Sequence, residues 1–226
     1  GFFAAAPEVM RGLLWLALVT ALATATMAMV AEDIKRVLAY STISQLGYML
    51  MALAAGSVTA GFFHLTTHAG FKALLFMASG IFIHHAHSND MRVIATKQPR
   101  SQRAGVIGLV SGSLALAGVI PFSGYFSKEA VLTTLGQHAG TAALALAYLG
   151  AGLTAYYTFR MVFLTVGQGA AGRRAVGAVG DAVGSGQDHA PNAGDRAMAS
   201  VVLVLSVLTL VLGYLGGWLG ARLGHE

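Results

Sequence analysis

"FFHLTTHAGFKALLFMASG", Phe62 to Gly80, is almost wholly apolar and yet carries two histidines and a lysine. His64, His68 and Lys72 recur every four residues, so on a helix the three side chains share a face. The distance from His64 to Lys72 is about 12 Å along the axis at ~1.5 Å per residue. A row of that length reaches nearly halfway through the hydrocarbon of a bilayer. An ammonium at such depth costs on the order of 3 kcal/mol or more unless it neutralises, pairs or meets water. Histidine titrates near neutrality and burial disfavours the charged form of a lysine, so such a ladder can pass protons.

The surroundings of this stretch are those of a membrane protein. The chain has 226 residues, 56% of them hydrophobic and only 10% charged, with a mean hydropathy of +0.68. Soluble domains carry nearer a quarter charged residues. The pattern predicts an all-α, polytopic transmembrane helical bundle of about six spans, each near ~20 residues. They fall at about Leu13 to Ala31, Val37 to Ala55, Gly61 to His85, Gly105 to Ile120, Ser123 to Val166 and Met198 to Leu219. The fifth is interrupted at "LGQHAGTAA" and reads as one discontinuous helix or two short ones. Residues 167–197 read as a flexible Gly/Ala-rich loop, and residues 1–226 as a single transmembrane domain. Lys35 and Arg36, Arg92 to Arg103, and Arg173 with Arg174 would share a face, which the positive-inside rule makes cytoplasmic. The formal charge of +5 is explained by such loops and requires no nucleic acid. A bilayer is the expected surrounding. The opening "GFFAAAPEVMRG" lacks an initiator Met and a signal-peptide pattern, and the expectation is a fragment of a longer protein.

Two further clusters carry charge. Lys128 and Glu129 follow Pro121 and Gly124 in "PFSGYFSKEAVL", and interrupted membrane helices expose backbone polar groups that serve as ion sites. Asp33, Lys35 and Arg36 in "EDIKR" lead into the polar run Tyr40, Ser41, Thr42, Ser44 and Gln45. Structural alternatives stand beside these readings. Lys128 and the "EDIKR" charges also fit ordinary interfacial residues at helix ends. His64 and His68 also fit helix-packing donors, and the tail cluster His84, His85 and His87 reads as interfacial. An i, i+4 histidine pair can bind zinc, but no "HExxH" glutamate or third ligand follows, so no metal is expected. Lys72 resists a structural reading best, lying about a dozen residues from the nearer helix end among Phe71, Leu74, Leu75 and Phe76. With no cysteine, disulfides, iron–sulfur ligation and thiol catalysis are excluded. No P-loop and no "GxGxxG" opening a helix after a strand occur, so no cofactor and no redox centre is expected. The driving force must come from an ion gradient or a partner.

"DIKRVLAYSTISQLGYM" (Asp33 to Met49), "FHLTTHAGFKALLFMASG" (Phe63 to Gly80), "GYFSKEAVL" (Gly124 to Leu132) and "AYYTFRMVFLT" (Ala155 to Thr165) closely resemble the antiporter-like subunits of proton-pumping NADH–quinone oxidoreductase, respiratory complex I. The wording leans to the subunit L type over its M and N paralogues. The resemblance covers about Leu13 to Thr165, with a looser match through the last span. It implies a fold of two inverted five-helix repeats, of which this chain would carry the second. It implies that Lys72 is the central lysine of that repeat, that His64 and His68 belong to the connecting proton path, and that Lys128, with Glu129 beside it, is the lysine of the broken helix near the exit. Lys35, with Asp33, would connect the repeats. Implied partners are the other membrane subunits of the respiratory complex, and the implied location is the inner (cytoplasmic) membrane. The same lysines and histidines also occur in the large subunit of multisubunit cation/proton antiporters and in membrane-bound hydrogenases. A truncated, non-functional remnant is the third reading. Gly70 stands where an aromatic is usual, "DMRVIATKQPR" lacks a Gly-Gly-Leu, one proline stands for two before "FSGYF", and Glu129 replaces a common Asp. None of these departures removes a titratable group.

Overall fold

The structure, a computed structural model, describes residues 6–97, 103–167 and 193–223. Helix α1 (Pro7–Val30) opens on a proline, whose missing N–H costs nothing in a first turn. Helix α2 (Ile34–Ala54) is capped by Asp33, whose carboxylate accepts from the Arg36 amide at 3.0 Å. Helix α3 (Val58–Ala86) carries the His-His-Lys row; Ser57 caps its start, and His87, at φ 50°, turns the chain at its end. A short helix α4 (Met91–Thr96), capped by Asp90, leads towards α5 (Arg103–Ala117). Then come α6 (Ser123–His138), α7 (Thr141–Val162) with a π-helical turn at Phe163–Gly167, and α8 (Ala193–Leu223). Among the described residues an isolated Asp33–Asp90 bridge is the one strand-like pairing.

The chain is a multi-pass membrane protein. Among the described residues five helices are long and apolar enough to cross a bilayer: Pro7–Val30, Ile34–Ala54, Val58–Ala86, Thr141–Val166 and Arg196–Tyr214. The remaining crossing is the discontinuous one, and it is broken at the Pro121–Gly124 site before Lys128 rather than at "LGQHAGTAA". Helix α5 has 15 residues, about 22 Å, too short for a hydrocarbon layer of about 30 Å. It starts beside Phe82 at the far end of α3 and stops at Gly118, whose φ of +81° closes the helix. Helix α6 starts alongside that last turn and runs on to the opposite end. Gly124 lies against the backbone carbonyl of Ala115 so closely that a Cβ there would collide with it. Thus α5 and α6 together make one crossing, broken at residues 118–122. The stretch "LGQHAGTAA" instead supplies the tight turn Ala139–Gly140, with Gly140 at φ +83°, and α7 crosses unbroken.

Packing fixes which ends meet. Helices α1 and α2 form an antiparallel hairpin, with Gly47 against Ala17 and Ala21 and the Ser44 hydroxyl donating to Ala21 O at 3.0 Å. Helix α7 closes over them: Tyr48 OH donates to Ala147 O at 2.5 Å, and Arg160 donates to Ala31 O at 2.8 Å. One end of the bundle therefore gathers the α1–α2 turn, α4 and the end of α7. There Ile34 N donates to Asn89 O, Met91 N donates to Glu32 O, and Arg92 pairs with Glu32 at 2.7 Å. Lys35, Arg36, Arg92, Lys97 and Arg103 all stand at this end. Most of the Gly/Ala-rich stretch 167–197, with Arg173 and Arg174, lies outside the described residues, and α8 begins at Ala193.

Candidate functional site

The inner face of α3 is the centre of the bundle. His64 is fully buried, His68 and Lys72 are each 5% exposed, and Lys128 on α6 is 4% exposed. The four-residue spacing places the α3 groups on one face, while Phe62, Leu65 and Phe76 point outwards. Lys72 reaches α2: its ammonium donates to Leu38 O at 2.8 Å and to the Ser41 hydroxyl, and it lies 5.9 Å from the Phe76 ring centre. The same Leu38 carbonyl accepts from Ser41 and Thr42, each at 2.9 Å. Lys128 donates to Leu116 O at 2.5 Å. That carbonyl belongs to the last turn of α5, where the break leaves acceptors without a continuing helix.

Between the lysines stand the histidines. His64 Nδ1 lies 2.9 Å from Ser127 Oγ, and Nε2 lies 3.1 Å from Gln45 Oε1. Thr67 donates to Ser127 at 2.8 Å, and Gln45 donates to Thr154 at 3.4 Å. His68, 6.3 Å from His64 ring to ring, sits edge-on to Phe71 at 5.3 Å. Its Nε2 is buried and has no hydrogen-bond partner among the described residues. The Tyr157 hydroxyl lies near Ser41, Gln45 and Thr154 without meeting hydrogen-bond geometry with any of them. It therefore stands between the lysine branch on Ser41 and the histidine branch on Gln45.

The electrostatic character of this interior is unusual. Among the described residues, the buried polar groups are hydroxyls, amides, histidines and two lysines, with no carboxylate. Both ammonium groups are held by carbonyl and hydroxyl oxygens rather than by counter-ions. A charge so placed stays sensitive to its neighbours, because interactions between unit charges are weakly screened away from water.

The structure brings together Lys72, His68, His64 and Lys128. The other residues singled out in the sequence stand apart from them. Glu129 follows Lys128 in sequence but is exposed, lining a groove of about 450 Å³ with Thr59, Phe63, Phe126 and Thr133. Asp33 uses its carboxylate as a helix cap, Lys35 is exposed, and no ion pair joins them. Sequence reasoning missed Ser127, Thr154 and Tyr157, and left Gln45 in a polar run without a role. Their signal was a polar side chain inside an apolar helix; their partners lie on other helices.

The family model described as NADH:quinone oxidoreductase/Mrp antiporter, TM, matches residues 1–154. NAD(P)H-quinone oxidoreductase chain 5 of a Picosynechococcus strain is 42% identical over 168 residues, covering 70% of this chain and 25% of that protein. The chloroplastic subunit 5 of Zygnema circumcarinatum is 43% identical over 172 residues, covering 72% and 24%. The chain thus spans about a quarter of the length of these relatives. Among solved structures, a chain of the archaeal membrane-bound sulfane sulfur reductase superposes with a TM-score of 0.77 at 24% identity, covering 94% of this chain and 41% of that one. A chain of the Mrp complex from a Dietzia species superposes with a TM-score of 0.71 at 25% identity, covering 91% and 45%. The broken crossing and its buried lysine therefore sit in a chain that belongs to the NADH:quinone oxidoreductase/Mrp antiporter transmembrane family.

Proposed function

We propose that the chain is the second-repeat part of a proton-translocating membrane-arm subunit of an NADH–quinone oxidoreductase. Protons move along Lys72, His68, His64 and Lys128, driven by quinone reduction in partner subunits, which hold the redox chemistry. Protonation of one group repels the proton on the next. Lys35 with Asp33 forms the connection towards the other repeat, and Glu129 serves the exit side of Lys128. The subunit lies in the inner (cytoplasmic) membrane with its basic end towards the cytoplasm.

The observation that carries this reading is the buried row joining α2, α3 and α6 with no carboxylate among its described members. Such a lining suits a proton, which needs only groups that bind and release it. A hard metal cation prefers a shell of anionic and carbonyl oxygens. A second reading, the large subunit of a multisubunit Na+/H+ antiporter or a membrane-bound hydrogenase subunit, draws support from the fold shared with the Mrp complex.

The test is NADH-driven proton uptake by inside-out vesicles holding the full-length subunit, with and without Lys72→Ala. NADH oxidation is recorded in the same sample. The expected result is loss of most uptake in an assembled complex. Unchanged uptake would overturn the role of Lys72, and uptake that follows a sodium gradient without NADH would favour the antiporter.

A further inference from the structure

We propose that Gln45 is a positioning residue that fixes the tautomer of His64, so that this histidine exchanges protons only through Nδ1 and Ser127. The inference rests on the reading of His64 as a proton carrier. It starts from Thr154. The single hydroxyl proton of Thr154 is given to Gly150 O at 2.9 Å, so its oxygen can only accept from Gln45. The NH2 end of the Gln45 amide must then face Thr154, at 3.4 Å, and its oxygen must face His64. An amide oxygen only accepts hydrogen bonds, so His64 Nε2, 3.1 Å away, carries the hydrogen. In the neutral ring Nδ1 is then the acceptor, and it takes the Ser127 hydroxyl at 2.9 Å. Ser127 in turn accepts from Thr67 at 2.8 Å. The direction is consistent from Gly150 to Ser127, and the Thr67 hydroxyl, which also has His64 O at 3.1 Å, closes the chain.

The chemical consequence is one-sided access. A proton arriving at Ser127 Oγ displaces that hydroxyl's own proton onto Nδ1, leaving the serine neutral and the ring an imidazolium. The Nε2 hydrogen faces a carboxamide oxygen, which is far too weak a base to take it. The ring must therefore return its extra proton through Nδ1 to Ser127, on the side of Lys128. His64 therefore takes up and releases its proton through its Ser127 face alone, and any transfer between it and His68 or Lys128 passes that face. The titratable groups around the ring are His68 on α3, Lys128 on α6 and Tyr48 on α2, whose ring centre is 6.4 Å away. Tyr157 faces the Gln45 side from α7.

The experiment is solid-state 15N NMR on the complete subunit in its membrane complex, labelled at histidine. The His64 signals are assigned by their loss in His64→Gln. The expected spectrum has a protonated Nε2 and an unprotonated Nδ1. Gln45→Leu and, separately, Thr154→Val, which removes the acceptor that orients the amide and leaves Gln45 in place, are expected to give a mixture of tautomers. Gln45→Glu, which keeps an acceptor towards Nε2, is expected to retain the single tautomer. A wild-type His64 protonated on Nδ1, or an unchanged spectrum in both Gln45→Leu and Thr154→Val, overturns the proposal. The proton-uptake assay separates this from the function itself. Loss of uptake in Lys72→Ala alongside a wrong tautomer sinks only the role of Gln45. Full uptake in Lys72→Ala removes the functional reading whatever the tautomer.

Discussion

Two parts of the molecule hold ionisable groups, and they treat them in opposite ways. At the basic end, Glu32, Arg92 and Lys97 are exposed, and Asp33 and Asp90 are partly buried. They act as ordinary interfacial groups: two helix caps, one ion pair at 2.7 Å, and an ammonium on the Ala86 carbonyl at 3.3 Å. In the interior, Lys72 and Lys128 are nearly sealed from solvent and hold no carboxylate. Charges at the end meet solvent, and charges in the middle are left open to each other's influence. The same residue type is therefore screened by solvent in one place and shielded from it in the other.

Five substitutions break or sharpen this contrast. Gly124→Val should have the largest effect, because its side chain would collide with the Ala115 carbonyl and the two half-helices could not lie together. Native gels should show little assembled complex; normal assembly would mean that this close approach is dispensable. Next, Lys128→Met and Lys97→Met make the same chemical change in the two regions. The first should abolish most proton uptake in an assembled complex, and the second should leave it within about twofold, as for an exposed charge. Equal losses would erase the distinction. Ser127→Ala removes the hydroxyl between His64 and Thr67, and uptake should slow by roughly tenfold, the worth of one buried hydrogen bond. Glu32→Gln opens the half-exposed pair with Arg92 and should lower the melting temperature by no more than about 3 °C. A larger drop would show that the basic end is more tightly coupled to the bundle than its exposure suggests.

The sequence carried the row on α3 because its information is local: four-residue spacing sets a shared face whatever surrounds the helix. The buried state of Lys72 was legible for the same reason, from its depth in an apolar run. Lys128 was legible as a lysine near a break, but its partner Leu116 O was not, since which carbonyls a break frees depends on how the two halves overlap. Glu129 could have been separated from Lys128 beforehand. Adjacent residues on a helix point about 100° apart, and with Ser127 and Lys128 both turned inwards Glu129 falls on the outer side. Ser127, Gln45, Thr154 and Tyr157 lie on three different helices, and no period along the chain reports a meeting of that kind. The pairing of α5 with α6 into one crossing was not legible, because it depends on a helix of 15 residues being too short to cross alone.

The interrupted crossing has one more consequence. A helix that ends inside the bilayer presents the negative end of its dipole there, roughly half an elementary charge. Lys128 rests on that end, at the Leu116 carbonyl. A carboxylate would attract the ammonium with about twice that charge and would itself compete for the proton. The broken helix instead supplies a fixed, fractional anion that can never be protonated or titrated away. It amounts to a spring of moderate stiffness: strong enough to seat the lysine, and weak enough for a neighbouring proton to dislodge it.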